Sequence, residues 1–451
     1  MRIALLATVA LAAFSAVALT PAPASACGGC FAPPENPSVV TDHRMILSVS
    51  PEQTTLYDQI HYQGDPGSFA WVLPITGEAE VGLSADVLFG SLDALTKTTV
   101  QAPPRSCPPP PSCGYDSFGG AAADASVPNS GGVTVTKQEV VGPYETVQLK
   151  ATDPAALETW LTANGFDVPA DVKPVIAAYV QEKFDFLALK LVPGKGVDSM
   201  RPVRISVKGA SATLPLRMVA AGTGAVVGVT LWVVADGRYE PQNFPWFRIQ
   251  DSQLTWDWAQ SRSNYADLRA AETAKSQGRG WELESSLPMN QTTIGGYVRS
   301  GGYGYGASTD GSTDYLPIDG PTPLTAAQVR EADLTALFQG LGQGFRLTRM
   351  RADLAHAALV DDLSLQASVD QSELSNFRQA QDAINIPPCP TYGTCPPDGG
   401  PGTDSNGASL EGGGCSVVAS SGTQPSDVAL SFAGVAFLGL VVSRRRRRSR
   451  P

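Results

Sequence analysis

The chain has 451 residues, 43% hydrophobic and only 17% charged, and a formal net charge of −11. That length suits two or three average domains with a sizeable apolar core, while 45 glycines and 36 prolines lean towards strands and loops over long helices. The acidic balance repels phosphate and argues against nucleic acid as a partner.

The N-terminus reads as a secretory signal. Arg2 precedes an apolar run over residues 3–19, and Ala24-Ser25-Ala26 supplies a small-residue cleavage site, so residues 1–26 are expected to be removed after Ala26. Ala24-Ser25-Ala26-Cys27 also approaches a lipoprotein box that would acylate Cys27. Ala stands there where Leu is usual, and ordinary cleavage is the better reading. The cysteines agree with export. Apart from Cys415, the seven fall into close pairs, Cys27/Cys30, Cys107/Cys113 and Cys389/Cys395. In an oxidising compartment such pairs are disulfide candidates, although spacing alone leaves the connectivity open. Cys27-Gly28-Gly29-Cys30 has the redox C-x-x-C spacing, but it precedes Pro33-Pro34 instead of sitting within a βαβ unit, which favours a structural bridge.

Residues 27–386 are expected to form an exported α+β body, predominantly antiparallel sheet in two sandwich-like lobes joined near residues 145–185, with several packed helices. Strands at 44–49, 56–62 and 69–74 read as a meander, with turns at Pro51-Glu52 and Gly64-Asp65-Pro66-Gly67. Ser84 is placed to cap a helix running to about Lys97. Residues 102–132 are rich in Pro, Gly, Ala and Ser and read as a disordered insert. Strands follow near 134–141 and 145–150, then helices over 154–164 and 171–183. Val203-Arg204-Ile205-Ser206-Val207-Lys208 alternates strictly, as a half-buried strand does. Strands at 214–219 and 225–234 come next; the second is almost wholly apolar and reads as a central strand. A helix is expected over 259–277, ending at Gly278, and a flexible loop over 295–322. Thr325 and Gln328 form a capping box for a helix to about Gln339, before a strand over 345–351.

From residue 387 to 427 the composition collapses into a Pro/Gly/Ser-rich spacer, and residues 428–451 form a hydrophobic tail closed by Arg444, Arg445, Arg446, Arg447 and Arg448. Arginines of this kind stay cytoplasmic. The apolar run at 428–442 falls short of the ~20 residues that span a bilayer, so a sorting tail removed after export fits better. Gly412-Gly413-Gly414-Cys415, spacer, apolar run and arginine cluster together resemble the myxobacterial C-terminal sorting domain. That resemblance implies processing near Cys415 and retention at the outer cell surface. Gly413 stands where many members carry the first cysteine of a Cys-Gly-Cys core.

The body resembles the bacterial family called domain of unknown function 2330, over roughly residues 26–375. The landmarks are Ala26-Cys27-Gly28-Gly29, Tyr62-x-Gly64 leading to Phe69-Ala70-Trp71-Val72-Leu73-Pro74, Leu214-Pro215-Leu216-Arg217, Tyr239-Glu240-Pro241 and Leu347-Thr348-Arg349-Met350-Arg351. The resemblance implies an exported envelope protein and transfers no catalytic residue.

The residues point to no cofactor and no metal. Of the three histidines, His43 and His61 lie on neighbouring expected strands and could meet across the meander; a surface or cross-strand contact is the plainer reading. Gly222-Thr223-Gly224 mimics a dinucleotide loop but precedes a strand, so a hairpin is expected. Asp310-Gly311-Ser312-Thr313-Asp314 has calcium-loop spacing, with Tyr315 where such a loop needs Gly. Trp246, Trp256 and Trp258 are the candidate binding aromatics, and sheet–helix core is the competing role. Arg349, Arg351 and Asp353 are expected to pair along one strand face. The leading functional reading is a non-catalytic surface protein, structural or adhesive, that binds a protein or glycan ligand. Its partners are export and sorting machinery and the cell envelope or outer membrane. The alternative is an envelope hydrolase or carbohydrate-active enzyme using paired carboxylates.

Overall fold

The computed structural model describes residues 30–31, 39–63, 70–108, 139–150, 154–163, 168, 170, 172–192, 200–220, 223–301 and 323–392. The expected signal, Cys27, Cys113, Cys395, Cys415, the 310–314 segment and the arginine tail lie outside these residues. The described stretches up to Ser106 and from Glu139 to Pro388 belong to one compact unit, whereas Cys107 and Cys389 belong to a second.

In chain order the first strands are β1 (Cys30–Phe31), β2 (Val39–Val49), β3 (Gln53–Gln63), β4 (Ala70–Ile75) and β5 (Ala79–Leu83). Helix α1 (Asp86–Thr96) and β6 (Thr99–Gln101) follow. β7 (Glu139–Val141) and β8 (Tyr144–Leu149) lead to α2 (Pro154–Ala163), α3 (Lys173–Gln181) and β9 (Asp185–Leu191). Next come β10 (Val203–Lys208), β11 (Thr213–Leu214), α4 (Leu216–Val219), β12 (Thr223–Ala235) and β13 (Tyr239–Pro241). β14 (Trp246–Phe247), β15 (Thr255–Asp257), β16 (Arg262–Ser263), α5 (Tyr265–Lys275), β17 (Trp281–Asn290) and α6 (Gln291–Arg299) continue the chain. The last described elements are α7 (Ala326–Phe338), β18 (Gly344–Ala355), β19 (Leu363–Ala367), β20 (Phe377–Gln379) and β21 (Asp382–Ile384).

An eight-stranded sheet has the order β14-β17-β18-β12-β2-β3-β10-β5, and a five-stranded sheet the order β1-β4-β9-β8-β7. Within both, neighbours are antiparallel except β12 with β2 and β14 with β17. Side-chain alternation then sorts the core into layers. Met45, Leu47, Leu231 and Val233 join Trp71, Leu73, Leu187 and Leu189 in one apolar cluster, which therefore lies between the two sheets. Ile46, Trp232 and Val234 point the other way, onto Leu88 and Phe89 of α1, Ile294 and Val298 of α6 and Leu334 and Leu337 of α7. On the far side of the smaller sheet, Val72, Phe186 and Ala188 meet Leu157 and Leu161 of α2 and Ile176 and Tyr179 of α3. The unit is thus helix, sheet, sheet, helix, an α+β fold of predominantly antiparallel strands. Both faces of β12 are covered, which is why it reads as a nearly unbroken apolar run. Each fully buried Leu, Ile or Phe contributes about 1.5–3 kcal/mol.

Several expectations change. β2 and β3 form the expected hairpin, but β4 leaves it for the smaller sheet, where it pairs with β9 from Ala70↔Lys190 to Ile75↔Asp185. The region expected to join two lobes supplies β8, α2, α3 and β9 of that same sheet. Residues 214–219 are not one strand: Pro215 cannot donate a ladder bond, and a short helix follows it. That helix, not a strand, is the described element before β12, in place of the first arm of the expected hairpin; Gly222 itself lies outside the described residues. The 259–277 helix begins only at Tyr265, after β16. α6 occupies residues expected to open the 295–322 loop, and Asn290 caps it by accepting from Thr293 N at 2.8 Å. Ser84 does not cap α1. Its hydroxyl donates to Asp333 Oδ2 at 2.8 Å, which ties the start of α1 to α7. The α7 capping box is present, with Gln328 Oε1 accepting from Thr325 N at 2.9 Å.

The cysteine pairing is also corrected. Cys107 is bonded to Cys389, 282 positions away, with Cα atoms 5.5 Å apart, in place of the local pairs Cys107/Cys113 and Cys389/Cys395. The cause is visible upstream. β6 and β20 pair in parallel, Thr99↔Phe377 to Gln101↔Gln379, and Arg105 then donates to the carbonyls of Pro387 and Pro388 at 2.8 and 3.0 Å. The two segments travel side by side before either cysteine is reached. Cys30 lies in β1, opposite Trp71 of β4.

Candidate functional site

β17 carries two acids on a face that helices cover. A β-bulge against β18, between Leu283 and Ser285, inserts Glu284 as an extra residue. Glu282, Glu284 and Ser285 consequently all reach the same side; Ser285 donates to Thr96 O, at the end of α1, at 3.1 Å. Glu282 is 0% and Glu284 3% exposed. The Tyr265 hydroxyl, from the first turn of α5, donates to Glu282 Oε1 at 2.6 Å and lies 3.5 Å from Glu284 Oε1. The two carboxyls therefore share one phenol.

A run of alternating charges extends from this pair. Arg349 of β18 pairs with Glu284, and with Asp93 of α1 at 2.6 Å. Asp93 also faces Arg44 of β2 at 3.8 Å. Both guanidinium groups lie over the Trp232 ring, each 5.3 Å from its centroid, and Trp232 Nε1 donates to Thr96 Oγ1 at 2.8 Å. Arg269 of α5 pairs with Asp353, and Arg378 of β20 pairs with Asp251.

Burial pushes the Glu282 carboxyl up to about 7, and the neighbouring Glu284 charge adds to the rise against opposing pulls from Tyr265, Arg269 and Arg378. Burial likewise raises the Tyr265 phenol, helped by both glutamates. For Arg349, burial works against the charge, yet Glu284 and Asp93 more than offset it. Burial alone dominates at Arg44, whose pKa is lowered. A carboxyl held near 7 beside a second carboxyl can keep or release one proton at neutral pH. Glu282 Oε2 has no hydrogen-bond partner among the described residues.

The expected aromatics border this cluster. Trp246, 42% exposed, sits on the edge strand β14 opposite Trp281, while Phe247 lies opposite Glu282. Trp256 packs with Phe247, Tyr265 and Leu268 around Ile249, Leu254 and Ala380. Trp258 lies beyond the end of β15; its ring meets that of Trp256 edge-on, 6.3 Å apart at 71°, and Arg105 covers Trp258 at 5.2 Å. The three tryptophans do not make one flat platform.

The histidines do not meet. The register sets His43 opposite Ile60 and His61 opposite Asp42, so the rings point to opposite faces. His43 is wholly buried and its Nδ1 lies 3.1 and 3.2 Å from the two Asp58 oxygens; the half-exposed His61 faces Asp42 at 3.7 Å. Among the described residues, no group of three His, Cys, Asp or Glu side chains is placed to hold a metal ion. Arg349 does not pair with Asp353 along the strand. Acids from β17 and α1 lie closer to the guanidinium, and α5 takes Asp353. Glu282, Glu284, Tyr265, Asp93 and Arg44 were not legible as a group. The one local signal is Trp281-Glu282-Leu283-Glu284, an acid at every second position of an apolar run.

These features define a four-layer α+β protein that buries an acid–arginine network beneath the helices of its larger sheet. The family described as "Uncharacterized protein conserved in bacteria (DUF2330)" matches residues 21–316, and the chain belongs to that family. Searches of curated proteins and of solved structures returned no match. The matched residues stop short of β18, which lies inside the large sheet, so the folded unit continues beyond the family match.

Proposed function

We propose that this protein is exported, held at the outer cell surface by its tail, and acts there as a non-catalytic module, structural or adhesive, for a protein or glycan partner. The observation that carries the reading is the Cys107–Cys389 bridge, since bonds of this kind persist in oxidising compartments. The signal-like N-terminus and the tail resembling a sorting domain support the same address. The paired state of the acids supports the non-catalytic part: buried Glu284 and half-buried Asp93 and Asp353 each already hold an arginine. Mass spectrometry of the protein purified from its native envelope, digested without reduction, tests this. The expected result is a chain starting at Cys27, ending near Cys415, with the peptides of Cys107 and Cys389 joined. Free thiols at both positions together with an intact arginine tail would overturn it.

A second reading, an envelope hydrolase or carbohydrate-active enzyme, draws on the Glu282–Glu284 pair beside Trp256 and Tyr265, with one carboxyl raised and its neighbour ion-paired. It requires that Glu282→Gln and Glu284→Gln each abolish cleavage of envelope glycan. Unchanged turnover in both variants would dismiss it.

A further inference from the structure

We infer that α5 is a pH-sensitive latch, closed on β17 while Glu282 keeps its proton and loosened from the sheet when that carboxyl ionises. The helix is weakly embedded. α1, α6 and α7 each bury three or more residues, whereas none of the eleven residues of α5 is buried. Its apolar contact comes from Tyr265 and Leu268, which pack with Trp256 and Phe247 against Ile249, Leu254 and Ala380. Two polar tethers add to this hold: the Tyr265 phenol donates to Glu282 of β17, and Arg269 pairs with Asp353 of β18. A segment with so few buried contacts opens at a lower free energy than the whole molecule, so the tethers decide how firmly it stays closed.

What surrounds Glu282 makes the first tether sensitive to pH. Glu284 faces it from β17 itself, Tyr265 and Arg269 from α5, and Arg378 from β20. Arg351 of β18 stands opposite it in the strand register. The nearby cations are engaged by other acids: Arg269 holds Asp353, Arg378 holds Asp251, and Arg349 holds Glu284 and Asp93. Among the described residues Arg351 makes no ion pair with Glu282. Glu282 is therefore a wholly buried carboxyl with one phenol donor and no cation of its own, and the same hydroxyl lies 3.5 Å from a second carboxyl. A neutral acid suits that place; a carboxylate there lacks a counter-charge, and opening α5 lets water reach it. Burial, with the Glu284 charge adding to it, holds the proton up to about 7 against the ordinary 4.5. The proton thus favours the closed state fully below about pH 4.5, and that support is lost as pH rises through about 7.

The test is hydrogen exchange of the full chain with its disulfide intact, read by mass spectrometry at pH 6 and pH 8 and corrected for the intrinsic pH dependence of exchange. Peptides covering residues 265–275 are expected to lose about tenfold in protection over that interval, while those covering 326–338 of α7 keep theirs. Glu282→Gln supplies a neutral side chain of the same shape that still accepts from Tyr265, so its α5 is expected to stay protected at pH 8. Tyr265→Phe removes the tether and is expected to lower α5 protection at both pH values, with less difference between them. Circular dichroism checks that each variant folds, and the wild-type comparison is decisive without them. Equal protection of α5 at the two pH values in the wild-type chain overturns the latch, as does a fall that persists in Glu282→Gln. A fall shared equally by α7 overturns it too, since the whole molecule is then opening.

Discussion

A carboxyl buried beside another carboxyl holds its proton more tightly than it does in the open chain, and Glu282 does so over a wide pH range. Its carboxyl moves from 4.5 to about 7 on folding. Between those values the native protein keeps a proton that the unfolded chain has released. Its contribution is therefore complete below about pH 4.5 and is lost as pH rises through about 7, a change of about 3 kcal/mol at roughly 1.4 kcal/mol per unit. Asp333 has the same sign in a lower window, from 3.8 to about 6; burial lifts it although Arg204 stands 2.8 Å away and Ala85 N and Ser84 Oγ both donate to it. Urea unfolding at pH 5 and pH 8 should show the wild-type protein less stable at pH 8. Glu282→Gln, which retains an acceptor for Tyr265, should lose most of the slope above pH 6. Superimposable pH profiles for the two proteins would exonerate Glu282.

The elements differ in how far local pattern announced them. β12 and β10 were readable because their patterns, a continuous apolar run and a strict alternation, report burial on two faces or on one. The α7 start was readable because a capping box is complete within four residues. β17 was not: its glutamates, Pro288 and a bulge interrupt the period, and its acids are tolerable only because Arg349 and Tyr265 arrive from elsewhere in the chain. This dependence can be measured. Arg349→Met should cost about 3–5 kcal/mol by leaving the buried Glu284 without its cation, and adding Glu284→Gln should restore part of the loss. Trp232→Ala, at the centre of the helix-covered face, should cost about 3–5 kcal/mol in the same assay.

For the molecule as a whole, the bridge from Cys107 to Cys389 closes a loop of 282 positions that takes in the chain from β7 to β21. Cross-linking so long a loop restricts the unfolded chain strongly, and Cys107→Ser should lower stability by about 2–5 kcal/mol under oxidising conditions and by nothing under reducing ones. Equal loss in both conditions would assign the effect to packing. Cys113 and Cys395 follow their partners at the same spacing in each segment, so a peptide joining Cys113 to Cys395 is the companion expected in the non-reducing digest.

Composition, alternation and capping were enough to establish an α+β chain rich in antiparallel sheet, because these report on neighbours within a few residues. Cysteine pairing, the departure of β4 for a second sheet, and the meeting of a β17 acid with an arginine from β18 and of an α1 acid with an arginine from β2 all join separate elements of the chain. Such contacts leave no local period to read. They follow from which faces had to be buried against which, and that becomes definite only when two sheets and their helices pack at once.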